Sequence, residues 1–337
     1  MTNAARVEVR RGGELETVHR VSIAVADGRG SLVASCGEPA QRTYWRSAAK
    51  PFQLLPFMAS GGVAAYGFGA RAVAVMAASH NGEAAHRAAA ADILAAAGLG
   101  ESHLLCGAHV PDNEAAWREL GRTGRAPTPL WNNCSGKHAG MLAHCRCRGW
   151  ATTDYLSAEH PLQHDIAGAV ARLTGERAEE IGLGIDGCGV PAFHLSLRGM
   201  ATAYARLAGG EGAPEEWRDP LRSILEGMAA EPWFIAGTGR LCTRLAEVAG
   251  ERVVAKVGAA GVYCAALRER GWGVALKVED GSARAAGQAL LEALAQLDVL
   301  REDELRALAE FRAGDVRNHA GTPVGESRAC FRLAGSA

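Results

Sequence analysis

The amino-acid sequence predicts an α+β fold: a mixed, mostly antiparallel sheet from both chain ends, flanked by helices, with a helical lobe between. Strand patterns with tight turns occupy the first residues, helical patterns dominate the middle, and strand patterns return near residue 252. Separate runs of strands and helices are typical of α+β folds rather than of alternating βαβ units. We expect one two-lobed domain over residues 1–337, with the sheet from 1–36 and 252–337 and the helical middle over 80–250.

The N-terminal strands are predicted by β-branched residues and turn dipeptides. Residues 5–36 carry valines and an isoleucine, interrupted by Gly12-Gly13 and Asp27-Gly28. Both dipeptides suit tight turns, which predicts two or three antiparallel strands.

The central helices are predicted by periodicity and capping residues. Asn133 is expected to cap one of them, and Ser79 or Asn81 the helix that begins near residue 84. Residues 73–78 fit either a buried strand or a short helix. The helices are expected over 47–61, 84–97, 133–148, 157–173, 192–207, 215–229 and 238–248.

The remaining elements complete the sheet. Residues 181–189 are expected to form a strand and a turn. The strands of the C-terminal part are expected over 252–257, 272–278 and 321–331, with a long helix over 283–300 and a shorter one after it.

Charge and hydropathy exclude several classes of protein. The chain has 36 basic and 37 acidic residues, and 48% of its residues are hydrophobic. This balance argues against a nucleic-acid binder or a protein of anionic membranes. No run of about 18 apolar residues and no signal-peptide pattern is present, so we expect a cytoplasmic protein without a membrane partner. The nine scattered cysteines favour free thiols or metal ligands over disulfides.

Lysine is scarce, which draws attention to each of its positions. Only four of the 36 basic residues are lysines: Lys50, Lys137, Lys256 and Lys277. A buried lysine can lose its proton and act as a base or a ligand, whereas arginine stays charged. Genomic base composition is the alternative explanation for the scarcity.

Ser47 and Lys50 form a Ser-x-x-Lys pattern at an expected helix start. Positions i and i+3 share one helix face, so the Lys50 amine can reach the Ser47 hydroxyl and act as its base. Pro51 fits the first turn of a helix, where backbone N–H groups can stabilise an oxyanion. The alternative is a capping serine followed by a solvated lysine.

A polar cluster, Ser79-His80-Asn81-Gly82-Glu83, follows an apolar run. Such groups often line a pocket, although capping of the next helix is an equally simple explanation. Lys256 lies at the end of an expected strand and precedes Gly258, so it can face a site or, alternatively, water at a sheet edge.

Two cysteines have surroundings that suit metal binding. Cys134 and Lys137 are three residues apart on an expected helix, and Cys188 follows Asp186 in a Gly-rich turn. Two thiolates and one neutral nitrogen can hold zinc, provided that the lysine is deprotonated. Two ordinary buried cysteines are the alternative.

Taken together, these motifs resemble the rhizobial-type L-asparaginases, the class 3 or asparaginase II family. The resemblance runs nearly end to end and includes the opening strand from Val7 and the segments 46–51, 79–83, 133–138 and 186–189. It implies a fold related to serine β-lactamases, penicillin-binding proteins and serine-dependent glutaminases. The Ser-Asp-Asn and Lys-Thr-Gly motifs of β-lactamases are absent, so penicillin hydrolysis is not expected.

The resemblance also implies a set of site residues. Two Ser–Lys tandems are expected, Ser47 with Lys50 and Ser79 with Lys256, Lys277 being the alternative second lysine. It implies one Zn²⁺ per chain, held by Cys134, Lys137 and Cys188, and no organic cofactor. The expected substrate-binding residues are Arg46, His80, Asn81, His138 and Asp186.

The implied reaction is hydrolysis of L-asparagine to L-aspartate and ammonia through a serine acyl-enzyme. The alternatives are an L-glutaminase, since the two amides differ by one methylene, and a serine-acylated binding module without turnover. A homodimer is the expected assembly, and no nucleic-acid partner is expected.

Overall fold

The computed structural model describes residues 5–111, 113–209 and 211–335. Its strands are β1 Ala5–Arg11, β2 Glu14–Asp27, β3 Leu32–Cys36, β4 Arg42–Tyr44, β5 Gly182–Ile185, β6 Pro191–Ser196, β7 Val253–Gly258, β8 Val262–Leu267, β9 Trp272–Val278, β10 Gly314–Arg317 and β11 Pro323–Cys330. Its α-helices are α1 Lys50–Ala59, α2 Gly62–Ala65, α3 Ala70–Met76, α4 Ala84–Ala96, α5 Glu114–Thr123, α6 Ser135–Arg148, α7 Pro161–Thr174, α8 Leu197–Gly209, α9 Glu215–Ala230, α10 Pro232–Ala236, α11 Leu241–Ala249, α12 Ala283–Gln296, α13 Glu302–Ala307 and α14 Ala309–Arg312.

The chain divides into two units. The strand unit comprises Met1–Ala48, Leu195–Gly212 and Arg244–Ala337, and the helical unit comprises Ala49–His194 and Ala213–Thr243. The predicted α+β class is confirmed, with both chain ends in the strand unit.

The strand unit contains a sheet with the order β10-β11-β1-β2-β9-β8-β7, and β3 pairs with β2. The pairs are antiparallel, and β1 and β2 align Val7 with His19. The predicted N-terminal hairpin and the strands near residues 252 and 272 are confirmed. β8, which no strand was predicted to occupy, lies between them.

Two helices of the strand unit pack on this sheet. α8 contacts β2 and β9, and α12 contacts β8, β9 and β11. Every residue of β8 is buried, so neither face of this strand is open to solvent. Gly273 lets α8 approach closely, because a Cβ there would lie 2.0 Å from the Ala201 carbonyl oxygen.

The helical unit is built around α1, α3, α6 and α9. α1 packs on α6, α7 and α9, and α3 packs on α4, α6 and α9. Of the ambiguous residues 73–78, those up to Met76 belong to the helix α3, and Ala77 and Ala78 follow its end. The helix predicted over residues 192–207 is wrong in its first part, since Pro191–Ser196 form β6, which pairs with β5. Only the residues from Leu197 onward are helical.

Two predicted helix caps are also wrong. α6 begins at Ser135, with Cys134 and not Asn133 at the N-cap position. α4 begins at Ala84, with Glu83 at its N-cap position. Ser79 and Asn81 do not cap α4, because their side chains form hydrogen bonds elsewhere, with Lys50 and with the loop after α10.

In the ranges 5–111, 113–209 and 211–335, every helix is too short or too polar to span a bilayer.

Candidate active site

Lys50 is the first residue of α1, which follows a 3-10 turn over Arg46–Ala49. Pro51 lies in the first turn of α1, as predicted, where its missing N–H costs no helical hydrogen bond. Ser47 lies within the 3-10 turn, three residues before Lys50 and upstream of the α-helix. Arg46 has a φ of 53°, a conformation that is unfavourable for a residue with a Cβ and is often found at functional sites.

The Lys50 amine contacts Ser79 inside the helical unit. Lys50 is 1% exposed and Ser79 is 5% exposed. Lys50 Nζ donates a hydrogen bond of 2.9 Å to Ser79 Oγ, and it also contacts the Ala78 and Asn133 carbonyl oxygens. Burial lowers the pKa of Lys50, because a charged ammonium is poorly solvated in the protein interior. This environment favours the neutral amine, which can accept a proton.

His80 is buried next to this pair and has a defined tautomer. The Gly82 N–H donates to His80 Nδ1 at 3.1 Å, so the ring proton lies on Nε2 and faces Ser135 Oγ at 3.0 Å. Burial, helped by the neighbouring His86 and by the charges of Arg87 and Arg240, holds the pKa of His80 well below its usual range. His80 is therefore a neutral residue that connects the 79–83 segment to the start of α6.

Asn81 connects the same segment to the loop between α10 and α11. Asn81 Nδ2 donates to the Thr238 carbonyl oxygen at 3.0 Å and to Glu83 Oε1 at 3.1 Å. Arg240 Nη1 donates to Asn81 Oδ1 at 2.9 Å. All hydrogen-bonding atoms of the Asn81 amide are thus engaged, which fixes its orientation.

Cys134, Lys137 and Cys188 lie together in the helical unit and are all buried. Lys137 Nζ lies 3.0 Å from Cys188 Sγ, and the thiols of Cys134 and Cys188 form a hydrogen bond with each other. The described residues contain no group of three or more His, Cys, Asp or Glu side chains that could hold a metal ion. This trio differs from such a group because its third member is a lysine.

The ionisable groups of this trio shift one another's pKa values. The hydrogen bond from Cys188, with added attraction from the Lys137 charge, holds the pKa of Cys134 well below its usual range, while the same bond raises the pKa of Cys188. Burial disfavours the Lys137 charge, but the two cysteines outweigh it and raise the pKa of Lys137 to about 12. The two cysteines and Lys137 thus shift one another's pKa values within one buried cluster.

His138 and Asp186 occupy different surroundings. His138 is fully buried, with Nδ1 2.8 Å from the Tyr155 hydroxyl, which accepts a hydrogen bond from the Leu105 N–H. Asp186 is partly exposed in the turn before Cys188, where the Gly189 N–H donates to its carbonyl oxygen. The negative charge of Asp186 also helps to raise the pKa of Lys137.

The two candidate second lysines lie in the strand unit. Lys256, in β7, is fully buried and donates to the Val257 carbonyl oxygen at 2.8 Å. Lys277, in β9, is partly buried and donates to the Ala260 carbonyl oxygen at 2.8 Å and to that of Val278. The structure therefore places Lys50, Ser79, His80, Asn81, Cys134, Lys137, His138, Asp186 and Cys188 in the helical unit, and Arg46, Ser47 and Lys256 in the strand unit.

A family model described as L-asparaginase II matches residues 7–329. The chain belongs to the L-asparaginase II family. This confirms the membership predicted from the motifs. A search of the curated proteins finds no matching sequence.

Solved structures also resemble this L-asparaginase II family member, with TM-scores below 0.5. A crystal structure of Mglu in its native form is 16% identical, with a TM-score of 0.47 over 84% of this chain and 62% of that one. A β-lactamase from Mycobacterium bovis is 13% identical, with a TM-score of 0.39 over 87% of this chain and 95% of that one. The chain thus spans less than two thirds of the length of Mglu, and the family assignment rests on the family model.

Sequence reasoning missed two residues that hold the site of this family member together. Tyr155 follows no recognisable motif, and its burial beside His138 is the only indication of its role. Arg240 follows Gly237-Thr238-Gly239, a loop without a phosphate-binding pattern. The glycines of that loop are the signal in the sequence that its backbone has an unusual conformation.

Proposed function

We propose that this amidohydrolase converts L-asparagine to L-aspartate and ammonia through a serine acyl-enzyme. The observation that carries the proposal is the buried amine of Lys50, three residues after Ser47, which donates a hydrogen bond of 2.9 Å to Ser79 Oγ. A serine hydroxyl becomes a nucleophile only when a base removes its proton, and a desolvated lysine is such a base. Family membership supports hydrolysis of an amide.

Acylation begins when neutral Lys50 removes the Ser47 proton. Ser47 Oγ then forms a bond to the amide carbon of the substrate, and the carbonyl oxygen becomes an oxyanion. Backbone N–H groups at the start of the helix stabilise this charge, since they have no helical acceptor of their own.

The C–N bond breaks next, and the leaving nitrogen must gain a proton. Lys50 carries the proton taken from Ser47, and its amine donates to Ser79 Oγ. The proton can therefore pass from Lys50 through the Ser79 hydroxyl to the departing ammonia. Water then attacks the ester with Lys50 as base, which releases L-aspartate and restores Ser47.

The remaining predicted residues bind the substrate or hold the site. We assign Asp186 to the α-ammonium group on grounds of charge, and Arg46 to substrate binding next to Ser47. His80 and His138 are fully buried, so we assign them to positioning the 79–83 segment and the start of α6.

Cys134, Lys137 and Cys188 fit a Zn²⁺ ion, because two thiols and an amine converge in a buried place and each can lose a proton to a metal. A bound Zn²⁺ would supply a fixed positive charge for a substrate oxygen. With or without it, Lys137 holds Cys188 and the turn that carries Asp186.

Steady-state ammonia release from L-asparagine and L-glutamine tests the reaction. The wild-type protein should release ammonia from L-asparagine, and Ser47→Ala should lose on the order of a millionfold in rate. Ser60→Ala, at the end of the same helix α1, is the matched control and should keep full activity. Mass spectrometry after rapid acid quench should find an aspartyl ester on the wild-type protein and none on Ser47→Ala.

Three outcomes would change the proposal. An ester that persists in Ser47→Ala and disappears in Ser79→Ala would make Ser79 the nucleophile. Faster turnover of L-glutamine than of L-asparagine would make the protein a glutaminase. A stable adduct without turnover, in folded and zinc-replete protein, would indicate a serine-acylated binding module.

A further inference from the structure

We propose that Arg240 binds the α-carboxylate of the amino-acid amide and thereby selects substrates that carry one. The inference rests on the proposed amide hydrolysis and adds a specificity-determining residue to it. Arg240 lies in the helical unit, in the loop between α10 and α11.

The loop that carries Arg240 is rigidly held. Glu83 accepts hydrogen bonds from the Thr238 N–H at 2.9 Å and from Thr238 Oγ1 at 2.8 Å. The Gly237 N–H donates to Thr243 Oγ1 at 3.2 Å. Gly237 has a φ of 107°, and a Cβ there would lie 2.4 Å from Glu83 Oε1. The position of the loop against Glu83 therefore depends on a glycine.

The Arg240 guanidinium has N–H donors beyond those of the nitrogen that contacts Asn81. It is partly exposed, and its Nη1 is held by Asn81 Oδ1. It forms no ion pair with any carboxylate in the described part of the chain. The nearby Glu83 carboxylate is already engaged by Asn81 and Thr238. A planar guanidinium that is oriented through one nitrogen and lacks a carboxylate partner is suited to bind one from a ligand.

The position of Arg240 fits the size of the substrate. Asn81, which holds Arg240, is two residues from Ser79, so their Cα atoms are at most about 7 Å apart. In L-asparagine, three C–C bonds of about 1.5 Å separate the amide carbon from the carboxylate carbon. A substrate whose amide lies at the Ser79 and Lys50 pair can therefore extend its carboxylate toward Arg240.

Backbone contacts fix this geometry. The Ser79 N–H donates to the Ile235 carbonyl oxygen at 3.0 Å, and the Asn81 N–H donates to that of Ala236 at 2.9 Å. The 79–81 segment and the chain that leads into the Arg240 loop are thus joined on both sides of His80. The distance between the reacting end and the carboxylate-binding end of the substrate is set by this pairing.

The test compares two substrates that differ only in the α-carboxylate. L-asparagine carries it, and β-alaninamide is the same molecule without it. For L-asparagine, Arg240→Met should raise KM by roughly 10- to 100-fold with little change in kcat, because a charge-assisted contact is lost. The kcat/KM for β-alaninamide should stay unchanged. Arg240→Lys should recover part of the L-asparagine loss, and Arg218→Met, on the exposed side of α9, is the matched control.

Product inhibition gives a second readout that does not need turnover of the poorer substrate. The inhibition constant of L-aspartate should rise in Arg240→Met by a similar factor, while that of β-alanine should not. An equal loss for ligands with and without the carboxylate would overturn the proposal, because Arg240 would then only position Asn81. A carboxylate-specific loss in Arg46→Met, with none in Arg240→Met, would also overturn it. Failure of the proposed reaction is distinguishable, since the wild-type protein would then release no ammonia from L-asparagine.

Discussion

Lys50 Nζ donates a hydrogen bond of 2.9 Å to Ser79 Oγ, across 29 residues of sequence and within the helical unit. The side chains are buried, and burial lowers the pKa of the Lys50 amine. This hydrogen bond and the burial favour a neutral amine beside the Ser79 hydroxyl, as the proposed mechanism requires.

The first prediction concerns Lys50. Lys50→Met should reduce kcat for L-asparagine by at least about a thousandfold, because the variant keeps the volume of the side chain but has no base. Gln53→Met is the matched control, since Gln53 lies one turn later in α1 and is also buried. Initial rates of ammonia release measure the loss of kcat, and circular dichroism checks that each variant is folded. A folded Lys50→Met protein that stays active would show that Lys50 is not the base.

The second prediction separates the two lysines of the strand unit. Lys256 is fully buried in β7 and donates to the carbonyl oxygen of its neighbour Val257, whereas Lys277 is partly buried and also donates to the Ala260 carbonyl oxygen in the turn between β7 and β8. A lysine engaged in this way holds the turn, so Lys277→Met should lose stability and keep kcat. The family resemblance implies Lys256 as the lysine of the second tandem, so Lys256→Met should lose kcat by roughly 100-fold or more, as expected for a general acid–base group. The reverse pattern, in proteins of equal folded fraction, would make Lys277 the second lysine.

The sequence could predict the fold class and the elements with clear local signals. The β-branched residues and the turn dipeptides were sufficient to predict β1 and β2. The position of Pro51 was sufficient to predict the start of α1. β8 was missed because its residues, Val262–Leu267, are all buried and so show no alternation between polar and apolar positions. The sequence predicts a helix over most of β6 because no turn residue separates β6 from α8.

The site was predictable only where partners are close in sequence. The spacing of Ser47 and Lys50 suggested one pair, but the contact between Lys50 and Ser79 depends on how α1 meets the 79–83 segment. The meeting of Cys188 with Lys137, 51 residues apart, was reached through the family resemblance and not through spacing. Arg240 had no signal of its own, because an arginine in a glycine-containing loop is common in solvent-exposed turns.

The third prediction tests the close contact at Gly237. Gly237→Ala should lower the free energy of unfolding by about 1–3 kcal/mol, since the new Cβ would meet Glu83 Oε1 and adopt a φ that favours glycine. Gly239→Ala is the control, because Gly239 also has a positive φ but no atom lies within 4 Å of its Cβ position. Urea unfolding of both variants measures the difference. Equal losses would mean that the contact with Glu83 is unimportant.

The fourth prediction concerns metal content. Protein purified without chelator from zinc-supplemented medium should contain about one Zn²⁺ per chain by elemental analysis. Cys134→Ser and Cys188→Ser should lose it, because a serine hydroxyl is a poor zinc ligand. Cys147→Ser, an exposed cysteine on the same helix as Lys137, should keep it. Zinc that remains in both ligand variants would place the ion elsewhere.

The fifth prediction is a pH dependence of stability that originates at His144, in α6. His144 is 2% exposed, and its ring stacks on Phe57 at a centroid distance of 5.2 Å. Burial, with a smaller contribution from the Arg148 charge, lowers the pKa of His144 from 6.5 to about 4. The unfolded chain therefore binds a proton at His144 between these values, whereas the folded protein does not. Because stability rises with pH wherever the unfolded state binds more protons, the protein should lose stability as pH falls from 6.5 toward 4, by about 3 kcal/mol at most from this residue.

His144→Leu removes this titration and keeps an apolar side chain against Phe57. As the pH falls from 6.5 toward 4, the wild-type protein should lose free energy of unfolding relative to the variant. The two curves from urea unfolding should therefore converge or cross if the variant is the less stable protein at neutral pH, and diverge if it is the more stable one. His164→Gln, which changes an exposed histidine on α7, is the control and should run parallel to the wild type. Curves that stay parallel for His144→Leu as well would mean that His144 is protonated in the folded protein at the same pH as in the unfolded chain. The difference between curves isolates His144 from the other buried histidines, because those are present in all three proteins and their contributions cancel.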